Sequence, residues 1–136
     1  MSLSLNSLLS KDITCFDVIK NLFALTDNEI DVLACINHLQ PVSIARITEI
    51  IPKDRATISR SISRLMSIGV VRKEKENLEK GGYQFLYSSL PMNELRKFVK
   101  STLNAIIENM SNAMDNLTKE KCEEKFQEVK RKYSKK

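Results

Sequence analysis

The sequence has few residues that stack on nucleic-acid bases, form disulfides or bind metal ions. Its 136 residues include no Trp, three Tyr and five Phe, too few for the aromatic rows on which single-stranded nucleic acid stacks. One His and three dispersed Cys give no spacing typical of a zinc site or a disulfide framework. We therefore expect no metal and no cofactor. No nucleophile–base pair or phosphate-binding glycine loop is recognisable, which argues against an enzyme.

Long hydrophobic runs and a basic leader are also missing. The first residues, MSLSLNSLLSKD, show neither feature, and no segment approaches the roughly 20 apolar residues that cross a bilayer. We expect a cytoplasmic protein without a membrane partner. The apolar content of 42% is typical of a globular chain, and the length is that of one domain.

Positive charge is concentrated in two segments. The chain has 22 basic and 17 acidic side chains, a net charge of +5. Residues 43–75 hold eight basic and three acidic side chains, residues 118–136 hold eight and four, and residues 1–42 carry a net charge of −3. This distribution favours a polyanionic partner. A basic surface that is merely solvated would give the same net charge.

The spacing of apolar residues predicts a mainly helical chain. Capping signals mark the helix ends: Thr26 with Glu29 forms a capping box, Ser43 and Asp54 are N-caps, and Gly69 supplies a left-handed C-terminal residue. The predicted helices span 13–25, 27–39, 44–51, 55–68, 92–117 and 118–133.

A β-hairpin is predicted between the fourth and fifth helices. GVVRKEKE is expected to be extended, EKGG to form the turn, and YQFLYSSL to alternate with its aromatic residues on one face. Three rings in such a row are more typical of strand packing than of a ligand cleft. Three lysines, Lys73, Lys75 and Lys80, make the hairpin basic.

The helix over 55–68 has two different sides. Ile58, Ile62 and Leu65 share one side, and small or basic side chains such as Ala56 and Arg60 lie opposite. Small side chains let a helix approach the major groove, which is about 12 Å wide, and arginine can bind guanine or phosphate. Two helices joined by a short turn and followed by a hairpin predict a winged helix-turn-helix.

The sequence therefore predicts a set of DNA-contacting residues on the third helix, the fourth helix and the hairpin. They are Ser43, Arg46, Lys53, Arg55, Thr57, Ser59, Arg60, Ser61, Arg64, Lys73, Lys75 and Lys80. The competing interpretation is a solvated surface, with Arg64 paired to Glu49 or another acid. Surface ion pairs contribute only about 0–1 kcal/mol.

A heptad pattern follows the hairpin and predicts a dimer interface. It consists of Val99, Leu103, Ile106, Met110, Ala113 and Leu117. We expect residues 1–25 to form an N-terminal helix in contact with the partner subunit. Residues 26–91 are expected to bind DNA, and residues 92–136 to supply the dimerisation helices. The alternative for the heptad pattern is packing against the chain's own core.

The order of these features resembles the archaeal winged-helix regulators of the TrmB/MarR-like group, over residues 25–117. The matching features are Leu25-Thr26, Pro41-Val42-Ser43, Asp54-Arg55, Thr57-Ile58, Arg60, Ser63-Arg64-Leu65, Gly69-Val70-Val71, Asn77-Leu78-Glu79, Gly81-Gly82-Tyr83 and Tyr87. The resemblance implies that Arg55, Thr57, Arg60 and Arg64 lie on the recognition helix and that Ser43 faces phosphate.

It also implies that helices outside the winged core form the dimer. The sequence departs from the group in two ways. We expect a small member without the large C-terminal effector domain of the sugar-sensing versions. Ile51-Pro52 also replaces the Leu-Gly that is common in the turn, so the angle between the two helices is less defined.

Together these observations predict a mainly α protein with a small β-hairpin wing and a long C-terminal dimerisation helix. Its expected function is sequence-specific regulation of transcription as a homodimer on double-stranded DNA. The recognition helix 55–68 would enter the major groove, and the wing 72–83 would contact the flanking groove or backbone. A non-specific architectural DNA binder and a protein-docking winged helix remain alternatives, and a small-molecule effector stays open.

Overall fold

The computed structural model describes residues 5–134; residues 1–4 and 135–136, the ends of the two segments assigned to dimerisation, lie outside the described residues. The elements are α1 (Leu5–Leu9), α2 (Cys15–Leu22), α3 (Asp27–Leu39), α4 (Ile44–Thr48), α5 (Arg55–Ser67), β1 (Val71–Asn77), β2 (Tyr83–Ser89), α6 (Met92–Asp115) and α7 (Lys119–Tyr133). This order confirms the predicted fold class. None of the helices described is long and apolar enough to cross a membrane.

The chain divides into two compact units, Met1–Lys97 and Phe98–Lys136, so the boundary lies within α6. The N-terminal unit contains the helices α1 to α5, the hairpin and the start of α6. The C-terminal unit contains the rest of α6 and α7. The assignment of 1–25 and 92–136 to dimerisation stays a prediction.

The N-terminal segment differs from the single helix predicted over 13–25. It forms α1 and α2, and α2 begins after Thr14, whose side chain and that of Asp17 make a reciprocal capping box. The helix ends at Leu22, and Ala24 then adopts a positive φ of 54°. This left-handed residue turns the chain into α3, so the apolar pattern continues through a break in the helix.

The capping signals placed α3 and α5 correctly. The Thr26–Glu29 capping box is formed, and α3 has the predicted bounds. The helix α4 is shorter than predicted, because the amides of Glu49 and Ile50 donate to carbonyls three residues back and tighten the last turn.

The core of the N-terminal unit lies where α5 packs on α3 and α4. The fully buried side chains are Leu25, Val32, Leu33, Ile36, Ile47, Ile58, Ile62, Leu65 and Val70. They come from every element between the end of α2 and the start of β1, so α5 is held along its apolar side.

The hairpin pairs β1 with β2 in antiparallel register from Val71–Ser89 to Asn77–Tyr83. Val42 adds a short bridge on the other edge of β2, exchanging two main-chain hydrogen bonds of 3.0 and 2.8 Å with Tyr87. This bridge joins the segment before α4 to the base of the hairpin. The hairpin therefore extends from the core next to α4 and α5.

Candidate nucleic-acid interface

The helix α5 presents a polar side opposite its buried side. Ile58, Ile62 and Leu65 are 0%, 1% and 0% exposed. The exposed residues of the helix are Arg55, Ala56, Ser59, Arg60, Ser63, Arg64 and Ser67. All of them are small or basic, as predicted for a helix that approaches a groove.

The first turn of α5 is fixed by Asp54. Its carboxylate accepts a 2.8 Å hydrogen bond from the Thr57 amide, and hydrogen bonds from the side chain and main chain of Thr57 hold the pKa of Asp54 below its usual value. Arg60 lies one turn later and donates from Nη2 to Thr57 Oγ1 at 3.2 Å. Thr57 and Arg60 thus form a connected polar pair at the start of the helix.

Arg64 makes a contact that its position in the sequence does not reveal. Its Nη2 donates to the main-chain carbonyl of Phe23 at 2.7 Å and to that of Ala24 at 3.5 Å. These carbonyls end α2 and carry the partial negative charge of a helix C-terminus. Arg64 does not pair with Glu49, which instead binds Arg46 through Nη1 at 2.9 Å.

Ser61 is placed differently from the prediction that it contacts DNA. Its side chain is 5% exposed, and its Oγ accepts a 2.8 Å hydrogen bond from Asn28 Nδ2 on α3. The residue lies between Ile58 and Leu65 on the helix surface, on the edge of the buried side. Ser61 therefore connects α5 to α3 through this hydrogen bond, and we do not include it in the candidate interface.

The preceding helix contributes Ser43 and Arg46. The Ser43 hydroxyl caps α4 by accepting from the Arg46 amide at 3.2 Å. The Arg46 guanidinium is exposed and forms an ion pair with Glu49. Lys53 lies exposed in the turn before α5. These groups border α5 but do not form a closed site.

The hairpin lysines rest on aromatic rings. Lys73 Nζ lies 4.3 Å from the centroid of the Phe85 ring, and Lys75 Nζ lies 4.2 Å from that of Tyr83. The two rings meet edge to face at 5.5 Å. Lys80 is exposed in the turn at the tip, next to Gly81 and Gly82 with positive φ. Tyr83 and Phe85 were not recognisable from the sequence as partners of the lysines, because the alternation of each strand does not fix the strand register.

The heptad residues of α6 become more exposed along the helix. Val99 is 8% exposed and Leu103 is half-buried, whereas Ile106 and Met110 are 37% and 64% exposed. The helix ends at Asp115, so the last predicted heptad residue, Leu117, lies outside α6 and is 61% exposed. Ala113 is exposed as well. Within the C-terminal unit the apolar row is therefore uncovered over its second half.

The base of the hairpin borders an open cleft of about 560 Å³, lined by residues that include Gln40, Arg72, Ser88 and Ser89. Arg72 in this cleft binds Glu94 at 3.4 Å, so its charge is already shared with an acid. Between residues 5 and 134, no group of three or more His, Cys, Asp or Glu side chains is arranged to hold a metal ion.

Helix α4, helix α5 and the hairpin together define a winged helix-turn-helix protein. The sequence model of the family described as "Sugar-specific transcriptional regulator TrmB" matches residues 20–93. The chain belongs to this TrmB family. Its members are transcriptional regulators and not enzymes, and membership implies DNA binding.

Two proteins of one archaeon are similar to this chain in sequence. The uncharacterized protein MJ1503 of Methanocaldococcus jannaschii is 34% identical over 77 residues, which are 57% of this chain and 58% of that protein. The uncharacterized protein MJ1082 of the same archaeon is 25% identical over 100 residues, 74% of this chain and 82% of that protein. The chain thus spans little more than half the length of the first relative.

Solved structures share the fold. A possible transcriptional regulator from Methanosarcina mazei Go1 superposes with a TM-score of 0.65 at 20% identity, over 74% of this chain and 86% of that one. The ST1889 protein from the archaeon Sulfolobus tokodaii superposes with a TM-score of 0.56 at 18% identity, over 69% and 92%. Both likenesses agree with the winged-helix architecture.

Proposed function

We propose that the protein is a sequence-specific regulator of transcription that binds double-stranded DNA as a homodimer. Helix α5 acts as the recognition helix in the major groove, and the hairpin contacts the flanking groove or backbone. The observation that carries this proposal is the exposed polar side of α5 opposite three core residues that are at most 1% exposed. Family membership supports DNA binding in general.

The side chains at the exposed start of α5 suit groove entry. Ala56 and Ser59 are short and exposed, so they let the helix axis approach the base edges. Arg55 and Arg60 are exposed beside them and have the donors that bind guanine or phosphate. Bulky apolar side chains on this side would hold the helix away.

The contacts within the N-terminal unit support different roles for Arg60 and Arg64. Arg60 is one turn from the helix start and is available for base or phosphate contact. Arg64 donates a hydrogen bond to the Phe23 carbonyl, and this contact orients α5. We therefore assign base contact to Arg60 in preference to Arg64. The neighbouring residues Ser43, Arg46 and Lys53 are assigned to phosphate contact.

The homodimer rests on uncovered apolar surface in both outer segments. Ile106 and Met110 continue the heptad row of α6 in an exposed position, and Leu5 and Leu9 of α1 are 68% and 71% exposed. A row of this kind is typical of a helix that pairs with a second helix. Twofold symmetry would place two recognition helices on a pseudo-palindromic site.

The test is a fluorescence anisotropy titration with a labelled duplex from upstream of the protein's own gene and a scrambled duplex of equal length. Tighter binding to the native duplex at several salt concentrations supports the proposal, and the salt slope counts the neutralised phosphates. Equal binding to both duplexes would favour an architectural DNA binder. Absence of binding at low salt would favour a protein-docking module.

A variant pair links the result to α5. Arg60→Ala should weaken binding to the native duplex, because it removes an exposed guanidinium from the start of the helix. Arg96→Ala is the matched control, since Arg96 is an exposed arginine on α6 whose Nη1 binds Asn93 at 2.8 Å. If Arg60→Ala and the control bind like the parent protein, α5 does not read DNA through this side chain.

A further inference from the structure

The two faces of the hairpin carry opposite charge. In antiparallel strands, residues directly opposite each other point to the same side of the sheet. The register therefore places Lys73 and Lys75 on the same face as Tyr83, Phe85 and Tyr87. Glu74 and Glu76 of β1 lie on the other face together with Arg72, whose charge is paired with Glu94 at 3.4 Å. One face is therefore basic and aromatic, and the other has two carboxylates and one arginine that is paired with an acid.

The basic face has its cations fixed above rings. Each of Lys73 and Lys75 lies diagonally across from its ring, at 4.3 and 4.2 Å from the centroid. Tyr83 is 54% exposed and Phe85 is half-buried. Because the Tyr83 ring is this exposed, it contributes less to the core than a buried ring would. Its edge-to-face contact with Phe85 restricts the positions of both rings.

The acidic face is also held in place. Gln84 Nε2 donates to Glu76 Oε1 at 2.7 Å, directly across the strand pair. The Glu76 carboxylate therefore stays on the face away from the lysines. Phosphate approaching this side would meet negative charge, so the hairpin has one side that favours DNA and one that does not.

The basic face of the hairpin lies near the start of α5. Tyr87 lies on this face near the core and is 6% exposed. Burial raises the pKa of the Tyr87 phenol, and the nearby charge of Arg55 acts in the opposite direction. Arg55, at the first position of α5, therefore lies within electrostatic reach of the face that carries the two lysines.

We infer that Tyr83 and Phe85 are positioning residues for DNA binding: their rings hold Lys75 and Lys73 toward the phosphate backbone, and the hairpin approaches DNA with this face. The inference deepens the proposed function and rests on it. A lysine held over a ring has fewer rotamers to lose when it binds phosphate, which increases affinity without adding charge.

The rings and the lysines should differ in their effect on salt dependence. Lys73→Gln removes a charge, so it should weaken binding and lower the salt slope by about 0.9 for each phosphate that is no longer neutralised. Phe85→Leu keeps every charge, so it should weaken binding about two- to fivefold, the range of an exposed cation–π contact, while leaving the slope near that of the parent.

The experiment is a double-mutant cycle with Phe85→Leu, Lys73→Gln and the double variant, measured by anisotropy on the duplex that the parent binds. If Phe85 acts through Lys73, then Phe85→Leu has no further effect once Lys73 is replaced. A purely structural role would lower affinity equally in both backgrounds. The same cycle with Tyr83→Leu and Lys75→Gln tests the second pair independently.

Glu76→Gln is the control on the opposite face and should not weaken binding. Additive effects in both cycles, or parent-like binding by Phe85→Leu and Tyr83→Leu, would overturn the inference while leaving the proposed function intact. Failure of the parent protein to bind any duplex would overturn the proposed function itself. Parent-like binding by Lys73→Gln together with tighter binding by Glu76→Gln would mean that the other face meets the DNA, because the substitution at Glu76 would then remove a repelling charge.

Discussion

Arg64 Nη2 on α5 donates to the main-chain carbonyl of Phe23 at the end of α2, at 2.7 Å. The contact joins residues 41 positions apart and brings a cation to a helix C-terminus, where the exposed carbonyls carry partial negative charge. It connects the N-terminal segment to the proposed recognition helix. Arg60, one turn earlier on the same helix, donates instead to Thr57 within its own turn, so we expect the two arginines to have different roles.

We expect Arg64→Met to lower the free energy of unfolding by about 1 kcal/mol, because it removes a charged donor from a main-chain carbonyl. Arg60→Met should leave that free energy within about 0.5 kcal/mol of the parent. In DNA titrations Arg60→Met should lose about 1–3 kcal/mol of binding free energy, the range for an arginine that reads a base. Urea unfolding and anisotropy measure both quantities. The same decrease in stability in both variants would refute the division of roles.

The backbone at Ala24 supplies a second prediction. Its φ of 54° lies in the left-handed region, which costs an L-residue roughly 1–2 kcal/mol and glycine little. Because glycine also gains entropy in the unfolded chain, we expect Ala24→Gly to raise the free energy of unfolding by only about 0.5–1 kcal/mol.

Ala34→Gly is the matched control for this substitution. Ala34 is exposed in the middle of α3, where glycine costs about 0.5–1 kcal/mol. The two variants should thus shift the urea midpoint in opposite directions. A shift in the same direction would show that the corner between α2 and α3 does not hold Ala24 in this conformation in solution.

Ser61 and Ser59 are neighbouring serines on opposite sides of α5. Ser61→Ala removes the acceptor of the Asn28 amide in a part-buried site, so it should lower the free energy of unfolding by about 1 kcal/mol and leave DNA affinity unchanged. Ser59 is exposed, and Ser59→Ala should leave stability within about 0.5 kcal/mol. Thermal unfolding and anisotropy on both variants check this. Weaker DNA binding by Ser61→Ala at unchanged stability would return Ser61 to the interface.

Local signals in the sequence predicted most of the fold. The N-caps Thr26, Ser43 and Asp54 mark helix starts that the structure confirms, because capping depends on a few adjacent residues. The left-handed glycine after α5 is confirmed as well, with φ of 91° at Gly69. The turn at Ala24 was missed, since alanine carries no signal for a positive φ.

Contacts between distant segments could not be predicted in the same way. The alternation of each hairpin strand was visible, but the lysine–ring contacts depend on which residue of β1 faces which residue of β2. The bond from Arg64 to Phe23 depends on how α2 packs near α5. Ser61 could have been assigned to the core edge, because it lies three residues after Ile58 and four before Leu65.

The cap at Asp54 gives a pH prediction. Hydrogen bonds from Thr57 lower the pKa of Asp54 in the folded protein. The carboxylate therefore contributes stability that is fully present above its unfolded pKa, about 3.9, and that is lost as pH falls through the lower folded value. Asn also caps helices but carries no charge. Asp54→Asn should therefore be less stable than the parent at pH 7, and the difference should become smaller as pH falls below about 4.

Urea unfolding at pH 7, 5, 4 and 3 measures this dependence. Asp17→Asn is a useful comparison, because hydrogen bonds from Thr14 lower the pKa of Asp17 in the same direction. Each variant should be less sensitive to acid than the parent. A stability difference between the parent and Asp54→Asn that stays constant across the series would show that the charge of Asp54 does not contribute.

The exposed heptad row of α6 gives the last prediction. Met110 is 64% exposed, so Met110→Glu should leave each subunit folded while placing a charge in the row that we assign to the partner helix. Ser101→Glu is the control, because Ser101 is exposed and lies on the side of the helix away from the row. Sedimentation equilibrium should give twice the chain mass of 15.6 kDa for the parent and the control, and the single mass for Met110→Glu.

Since two half-sites are bound together only by a dimer, Met110→Glu should also weaken binding to the native duplex. A parent that sediments at the single mass would instead mean that α6 does not pair with a second copy.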